Sequence, residues 1–387
     1  MKKPSVIIVE GHVQGLSNLR SIAELGVITW VIDKKKCIAS ASKYCSHFLQ
    51  CPDFITTEFT EFLMKIGEQY DLKNCLLIPS NDHAVYNIAS NKTRLSKHYK
   101  IVGFDIDIID IIYDKSKLLH LAEREGVAIP ATQYFTSNSE KLQNSISLPV
   151  LTKGRHGLTF YKTIGKKALI STSEEQLKND LASIEQKLPL IETFTQEVIP
   201  FDGKNKTISF TAYSENGEIK TFWMGEKLRE HPIQFGTATL AVSIRNEECL
   251  KQSQVLLKSL NYTGVCEIEY LLDPRNNKYK LIEINPRTWL WVGLAKECGI
   301  DYAKILYHRA NDIPYDFKTE YSLGIMWYNP ITDLVYSTIA IFKGKLSVFS
   351  YIRTLFAPKK INAFFHKGDL KPGFKYLASL FSFFKNR

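Results

Sequence analysis

The chain has 387 residues, 44% of them apolar and 23% charged, with a formal net charge of +10. That composition is ordinary for a soluble globular protein, and the length asks for two or three domains. No segment offers about 18 uninterrupted apolar residues, which argues against a spanning helix, and the opening apolar run is too short for a signal-peptide core.

The first hundred residues alternate strand and helix. "SVIIVEG" is a short apolar run ending in Gly11, "LSNLRSIAELG" has helical spacing with a stop at Gly26, and "VITWVID" and "CLLIPSND" are further strands. Strand, helix, strand with short turns predicts a parallel, doubly wound sheet. Ligands of such sheets bind beyond the strands' carboxyl ends, where Glu10, Asp33, Asn81 and Asp82 would lie. A nicotinamide-binding reading fails on "GHVQGLSN", which lacks the spacing and third glycine of G-x-G-x-x-G.

From "DKSKLLHLAEREGVAIPAT" the texture changes. Leu118, Leu119 and Ala122 predict a helix ending at Gly126. "LPVLTKG" predicts a strand with Lys153 at its end, followed by a loop carrying Gly154 and Gly157. "STSEEQLKNDLASIEQKL" is amphipathic, with Ser173 and Gln176 as a capping box and Leu177, Leu181, Ile184 and Leu188 on one face. "TISFTAYSENGEIKTFWM" is a hairpin about Asn216-Gly217. "CEIEYLLDPRNNKYKLIEINPR" is a second hairpin, turning near Asn276.

In that second hairpin, side chains two apart share a face, so Glu283, Asn285 and Arg287 of "LIEINPR" point the same way. Pairing about Asn276 sets Glu269 opposite Glu283, with Asn285 one step along. Opposed carboxylates repel unless a positive group lies between them. A hard divalent cation fits, since it takes a few carboxylate or amide oxygens and fills its other positions with water and phosphate. Arg287 can grip phosphate or carboxylate bidentately. The plainer alternative is a half-buried strand with its polar side in water. Phosphate also asks for cations elsewhere, and Lys115 and Lys153 each follow a structural break.

These motifs resemble, in order and over nearly the whole chain to about residue 312, the ATP-grasp superfamily of carboxylate-amine ligases. The resemblance implies an α/β protein in three parts. Residues 1–113 would form a doubly wound, Rossmann-like pre-ATP-grasp domain. Residues 114–312 would form a two-lobed α+β ATP-grasp domain, with a small lobe over 114–196 and a large one over 197–312. Residues 313–387 would be a basic, aromatic extension. By this likeness Lys115 and Lys153 hold the α- and β-phosphates of ATP. "QEVIPFDG" resembles the adenine hinge: Glu197 takes the exocyclic amine, the backbone at Val198 and Ile199 meets the ring edge, and Asp202 meets the ribose. Glu269, Glu283 and Asn285 bind Mg²⁺ (or Mn²⁺), and Arg287 binds the transferred phosphoryl group.

A finer resemblance, carried by "SKYCSHFLQCPDF", "LLIPSNDHAV" and "KLREHPIQFGTAT", is to ligases like the D-aspartate ligase of cell-wall synthesis. It puts Arg229, with Lys227 beside it, on a substrate carboxylate or phosphate. The lid "GRHGLTFYKTIGKK" departs from the family in having fewer glycines and Gly154 in place of proline, which leaves the roles of Arg155 and His156 open. The implied reaction activates a carboxylate as an acyl-phosphate and couples it to an amine, with an amino acid as one substrate and a cell-wall or surface-polysaccharide precursor as the other. A carbamoyl-phosphate-type synthase and a non-catalytic nucleotide-binding regulator stay open as alternatives, and the resemblance leaves room for a homodimer.

The seven cysteines (Cys37, Cys45, Cys51, Cys75, Cys249, Cys266, Cys298) have no C-x-x-C spacing and read as reduced thiols of a cytoplasmic protein. The charge is concentrated at the end: from Ile331 onward ten Lys or Arg stand against Asp333 and Asp369. Aromatics there come in bunches, such as Phe364-Phe365 and Phe383-Phe384, unlike the spaced aromatics of RNA-binding sheets, and no nucleic acid is expected. Basic residues among Phe and Leu suit a helix lying on the inner face of an anionic membrane. The alternative is that they pack onto the body of the protein.

Overall fold

A computed structural model describes residues 3–136, 146–201, 205–231 and 236–385. Five short strands open the chain: β1 (Val6–Val9), β2 (Thr29–Asp33), β3 (His47–Gln50), β4 (Cys75–Pro79) and β5 (Tyr99–Lys100). They form one parallel sheet in the order β3-β2-β1-β4-β5. All residues of β1, β2 and β4 are buried, as parallel strands covered on both faces require. The chain leaves β1 to opposite sides, so the ends of β1 and β4 border a switch point. There Glu10, in a left-handed conformation (φ 70°), accepts a hydrogen bond from Asn81 Nδ2 at 3.1 Å.

The rest of the chain builds two further sheets, antiparallel in all but one strand pair. β6 (Thr132–Tyr134), β7 (Val150–Gly154), β8 (Leu169–Ser171) and β9 (Thr193–Glu197) form a four-stranded sheet, ordered β6-β9-β7-β8. The helix Glu174–Glu185 packs against it through Leu177 and Ile184. Its cap is Ser173, while the Gln176 side chain reaches back to the Thr172 amide. The predicted loop after Lys153 is in part a helix, Gly157–Ile164. Phe160 is fully buried in it, and a left-handed Gly165 stops it. Phe160 also explains Gly154, where a Cβ would lie 2.3 Å from the ring-bearing carbon of Phe160.

The large sheet contains β10 (Thr207–Glu215), β11 (Glu218–His231), β12 (Thr237–Ser243), β13 (Gly264–Asp273), β14 (Lys278–Asn285), β15 (Met326–Tyr328) and β16 (Lys360–Asn362). Its order is β14-β13-β10-β11-β12-β15-β16. The last two strands come from the segment beyond residue 312, so that segment completes the sheet instead of trailing from it. Phe364 is fully buried, and Asp369 accepts from Arg20, Ser42 and the Lys43 amide of the first domain. The side chains of Phe381, Phe383 and Phe384 lie outside those described.

One core spans the first domain and the large sheet. Leu16, Leu19 and Ile22 of the helix Val13–Ala23 share it with Trp223, Trp289 and Trp291. Trp223 and Trp289 stack at 5.8 Å, and Trp291 meets both edge-on. Large aromatics packed this way fix the first domain's strand ends against the hairpin β13–β14.

Candidate functional site

The hairpin β13–β14 sets the site. Its turn occupies residues 274–277, and near the turn the register pairs Asp273 with Lys278 and Tyr270 with Leu281. That register alone would put Glu269 opposite Ile282 and turn Glu283 to the other face. A register shift between Glu269 and Tyr270 absorbs Ile282 as an extra residue, so Glu269 pairs with Glu283 and Glu267 with Asn285. The bulge therefore brings these four polar side chains to one face.

Cations from three other elements converge on them. Lys115, at the start of the helix Lys115–Arg124, donates to Glu283 Oε2 at 2.9 Å. Lys227 of β11 donates to both oxygens of Glu269, at 3.0 and 2.8 Å. Lys153 ends β7 and has no ion-pair partner among the described residues, although Lys115 and Glu283 are close enough to act on its charge. Burial, aided by Lys115, pushes the Lys153 ammonium down to about 8. Lys115 holds the Glu283 carboxyl well below its usual range. Burial and the neighbouring Glu269 charge push Glu267 up to about 8, while Ser209 donates to it at 2.6 Å.

Arg287 also belongs to this face. Its guanidinium grips Asp82 at the β4 end bidentately, at 2.8 and 2.9 Å, and touches Asn285 Oδ1 at 3.3 Å. Glu10 lies nearby, raised to about 7 chiefly by burial. The first domain thus contributes Asp82 and Glu10 to the neighbourhood of Arg287. The signal for Asp82 in the sequence is its place just beyond a parallel strand.

Other predicted residues sit elsewhere or are engaged. Arg229 is buried and bound to Asp333 through two 2.7 Å contacts, with Thr354 as a further acceptor. It therefore ties the C-terminal segment to β11 and is not free to meet a substrate carboxylate or phosphate. Glu197 ends β9 and holds Lys280 and Arg275 at 2.8 Å each, along with the Ala131 amide. The Val198 amide donates to Pro149, and Ile199 is buried. Asp202 lies outside the described residues. Arg155 clasps Asp114, and its carbonyl accepts from the Lys115 amide, joining the segment after β7 to the Lys115 helix. His156 lies 3.8 Å from Glu192.

Among the described residues no three carboxylate, imidazole or thiol groups form a ready metal cage. The donor set is two opposed carboxylates and an amide, each carboxylate now neutralised by a lysine. That set fits a hard divalent ion that keeps water and phosphate among its ligands, provided Asn285 turns its carbonyl oxygen toward Glu283. As it stands, the Asn285 amino group faces Glu267 and Glu283, at 3.1 and 3.3 Å.

Solved structures share this arrangement of sheets. The N5-carboxyaminoimidazole synthetase of Staphylococcus aureus superposes with a TM-score of 0.65 and 16% identity, over 84% of this chain and 82% of that one. The chain has the ATP-grasp fold. The L-amino acid ligase of Bacillus licheniformis shares the ATP-grasp architecture with a TM-score of 0.60 and 13% identity, over 80% of this chain and 74% of that one. Residues 225–314, from within β11 to just past the helix Tyr302–Ala310, match the family described as carbamoyl-phosphate synthase L chain, ATP binding domain. The D-aspartate ligase of Enterococcus faecium is 23% identical over 242 residues, 59% of this chain and 58% of that protein's length.

Proposed function

We propose that this ATP-grasp protein is an ATP-dependent ligase joining a carboxylate to an amine, with release of ADP and phosphate. The observation that carries the proposal is the convergence of Lys115, Lys227, Glu269, Glu283 and Asn285 on one hairpin face, with Arg287 at its edge. The likeness to the D-aspartate ligase and to the L-amino acid ligase supports an amino acid as one substrate. A cell-wall or surface-polysaccharide precursor is the proposed second substrate.

In this reading the substrate carboxylate attacks the γ-phosphorus of ATP, forming an acyl-phosphate and ADP. The amine then attacks the acyl carbon, and phosphate leaves as the amide forms. Nearly all the catalytic demand is positioning and charge neutralisation. Lys115 and Lys153 hold the phosphates, and Lys227 and Arg287 stabilise the transferred phosphoryl group and the acyl-phosphate. Mg²⁺ held by Glu269, Glu283 and Asn285 would supply the remaining neutralisation. Glu197, fixed by Lys280 and Arg275, shapes the adenine side, where the Val198 carbonyl and the Ile199 amide meet the ring. Asp202 is kept as the ribose contact, and Arg229 is assigned to holding the C-terminal segment on β11.

The test is ADP release from ATP and Mg²⁺ across a panel of amino acids, each with and without a second amine or carboxylate. Stimulation by one amino acid that is lost in Glu283→Ala supports the ligase. Tight ATP binding with no ADP release under any condition would replace it with a nucleotide-binding regulator.

A further inference from the structure

The helix Pro330–Phe342 is amphipathic the wrong way round. Asp333, Ser337 and Ala340 face inward and are buried, while Leu334, Val335, Ile339 and Phe342 face solvent. An ordinary surface helix turns its apolar stripe to the core. The following helix, Val348–Leu355, has no buried residue at all, and Phe349, Ile352 and Phe356 at and beside it share one exposed stripe. Phe342, Phe349 and Phe356 are 87%, 79% and 81% exposed, the three most exposed large apolar side chains among the described residues. A patch of this kind marks an interaction surface.

Charge points to the partner. The acids of this region are Asp333 and Asp369, and both are buried, one on Arg229 and the other on Arg20. From Leu334 to Gly368 the sequence has no acidic residue, while Lys343, Lys345, Arg353 and Lys359 are exposed on or beside the two helices. An apolar stripe whose own exposed charges are all cations complements a surface with anionic headgroups over an apolar interior. No described helix is long and apolar enough to cross a bilayer, so the contact would be peripheral.

We propose that the helix pair Pro330–Phe342 and Val348–Leu355 is a docking surface for an anionic lipid bilayer, with Phe342, Phe349 and Phe356 entering the interface and the flanking lysines meeting the headgroups. Both helices are fastened to the large sheet, because Arg229 of β11 holds Asp333 of one and Thr354 of the other. Lys227 lies two residues away on that strand. Docking therefore fixes the distance of the candidate site from the lipid surface. This inference does not depend on the ligase reading, since it is read from binding alone.

The test is co-sedimentation of the full chain with vesicles of phosphatidylcholine, or of equal parts phosphatidylcholine and phosphatidylglycerol. Binding is expected to the anionic vesicles, weakened by salt. A variant combining Phe342→Ser, Phe349→Ser and Phe356→Ser, and a second combining Lys343→Glu and Lys345→Glu, should each bind at least about tenfold less tightly. Unchanged melting and nucleotide binding in both variants confirm that they fold. Absence of binding to anionic vesicles overturns the proposal, as does equal binding by both variants. A monomer–dimer equilibrium abolished by the three Phe substitutions, without lipid binding, assigns the face to a second copy and overturns it too.

Discussion

The ammonium of Lys115 lies 2.9 Å from the carboxylate of Glu283, although 168 residues separate them. The cation assigned to phosphate and the anion assigned to metal neutralise each other. Binding of a metal–nucleotide pair would give each its own partner. Lys115→Met and Glu283→Gln should therefore each lower ADP release by about 100-fold or more, with a double variant far from multiplicative because the two act as a unit. Nucleotide with Mg²⁺ at 100 times its dissociation constant should stabilise the parent by about 2.7 kcal/mol. Calorimetry should find that shift missing in Glu283→Gln; if it persists, Glu283 is not part of the binding site.

Lys153 predicts a pH dependence. Burial and Lys115 push its ammonium down to about 8, and bound phosphate would restore the charged form. Affinity for ATP should be roughly constant below pH 8 and fall by up to about tenfold per unit above it, because a proton must then be taken up on binding. Isothermal titration at pH 7, 8 and 9 measures this. Lys153→Arg, always charged, should flatten the profile, and an unchanged slope in that variant would point to another group.

Arg229 and Asp333 predict a structural loss, not a chemical one. Removing one partner of a buried ion pair leaves the other charge unpaired, at a cost of about 3–5 kcal/mol. Denaturant unfolding of Arg229→Met should show a loss of that order, and Arg229→Met with Asp333→Leu should recover most of it. At a temperature where the double variant is folded, its turnover should stay within about threefold of the parent, because neither side chain reaches the hairpin face. A loss like that of Glu283→Gln would return Arg229 to the reacting groups.

Gly225 lies where a Cβ would stand 2.3 Å from Trp291 and 2.4 Å from Trp223. Gly225→Ala should cost about 1–3 kcal/mol through overpacking of the tryptophan layer. Because this layer fixes the first domain against the hairpin, the change should also weaken the Arg287–Asp82 contact. Faster amide exchange around Asp82 than in the parent would register that; exchange confined to β11 would show that the layer does not transmit the strain.

Features that depend on near neighbours are legible in the order of the residues. Apolar runs ending in Gly11 and Asp33 set the parallel strands, Asn216-Gly217 set the first hairpin, and Ser173 with Leu177 and Ile184 set the helix Glu174–Glu185, because turn chemistry and periodicity act over a few residues. The facing of Glu269 and Glu283 was legible for a less direct reason. A turn placed near Asn276 gives the right pairing at the site, while the turn itself is set half a step away and the Ile282 bulge makes up the difference. The remaining features depend on contacts between distant elements. Arg229 reads as a ligand-binding arginine until Asp333, 104 residues later, is seen to occupy it. The segment after Lys153 reads as a glycine loop until Phe160 finds its buried pocket. Asp369 holding Arg20, and β15 and β16 joining the large sheet, draw half of the basic extension into the body and leave Phe342, Phe349 and Phe356 outside. Which groups meet across a hundred or more residues is fixed by the packing of whole elements, and no local pattern encodes it.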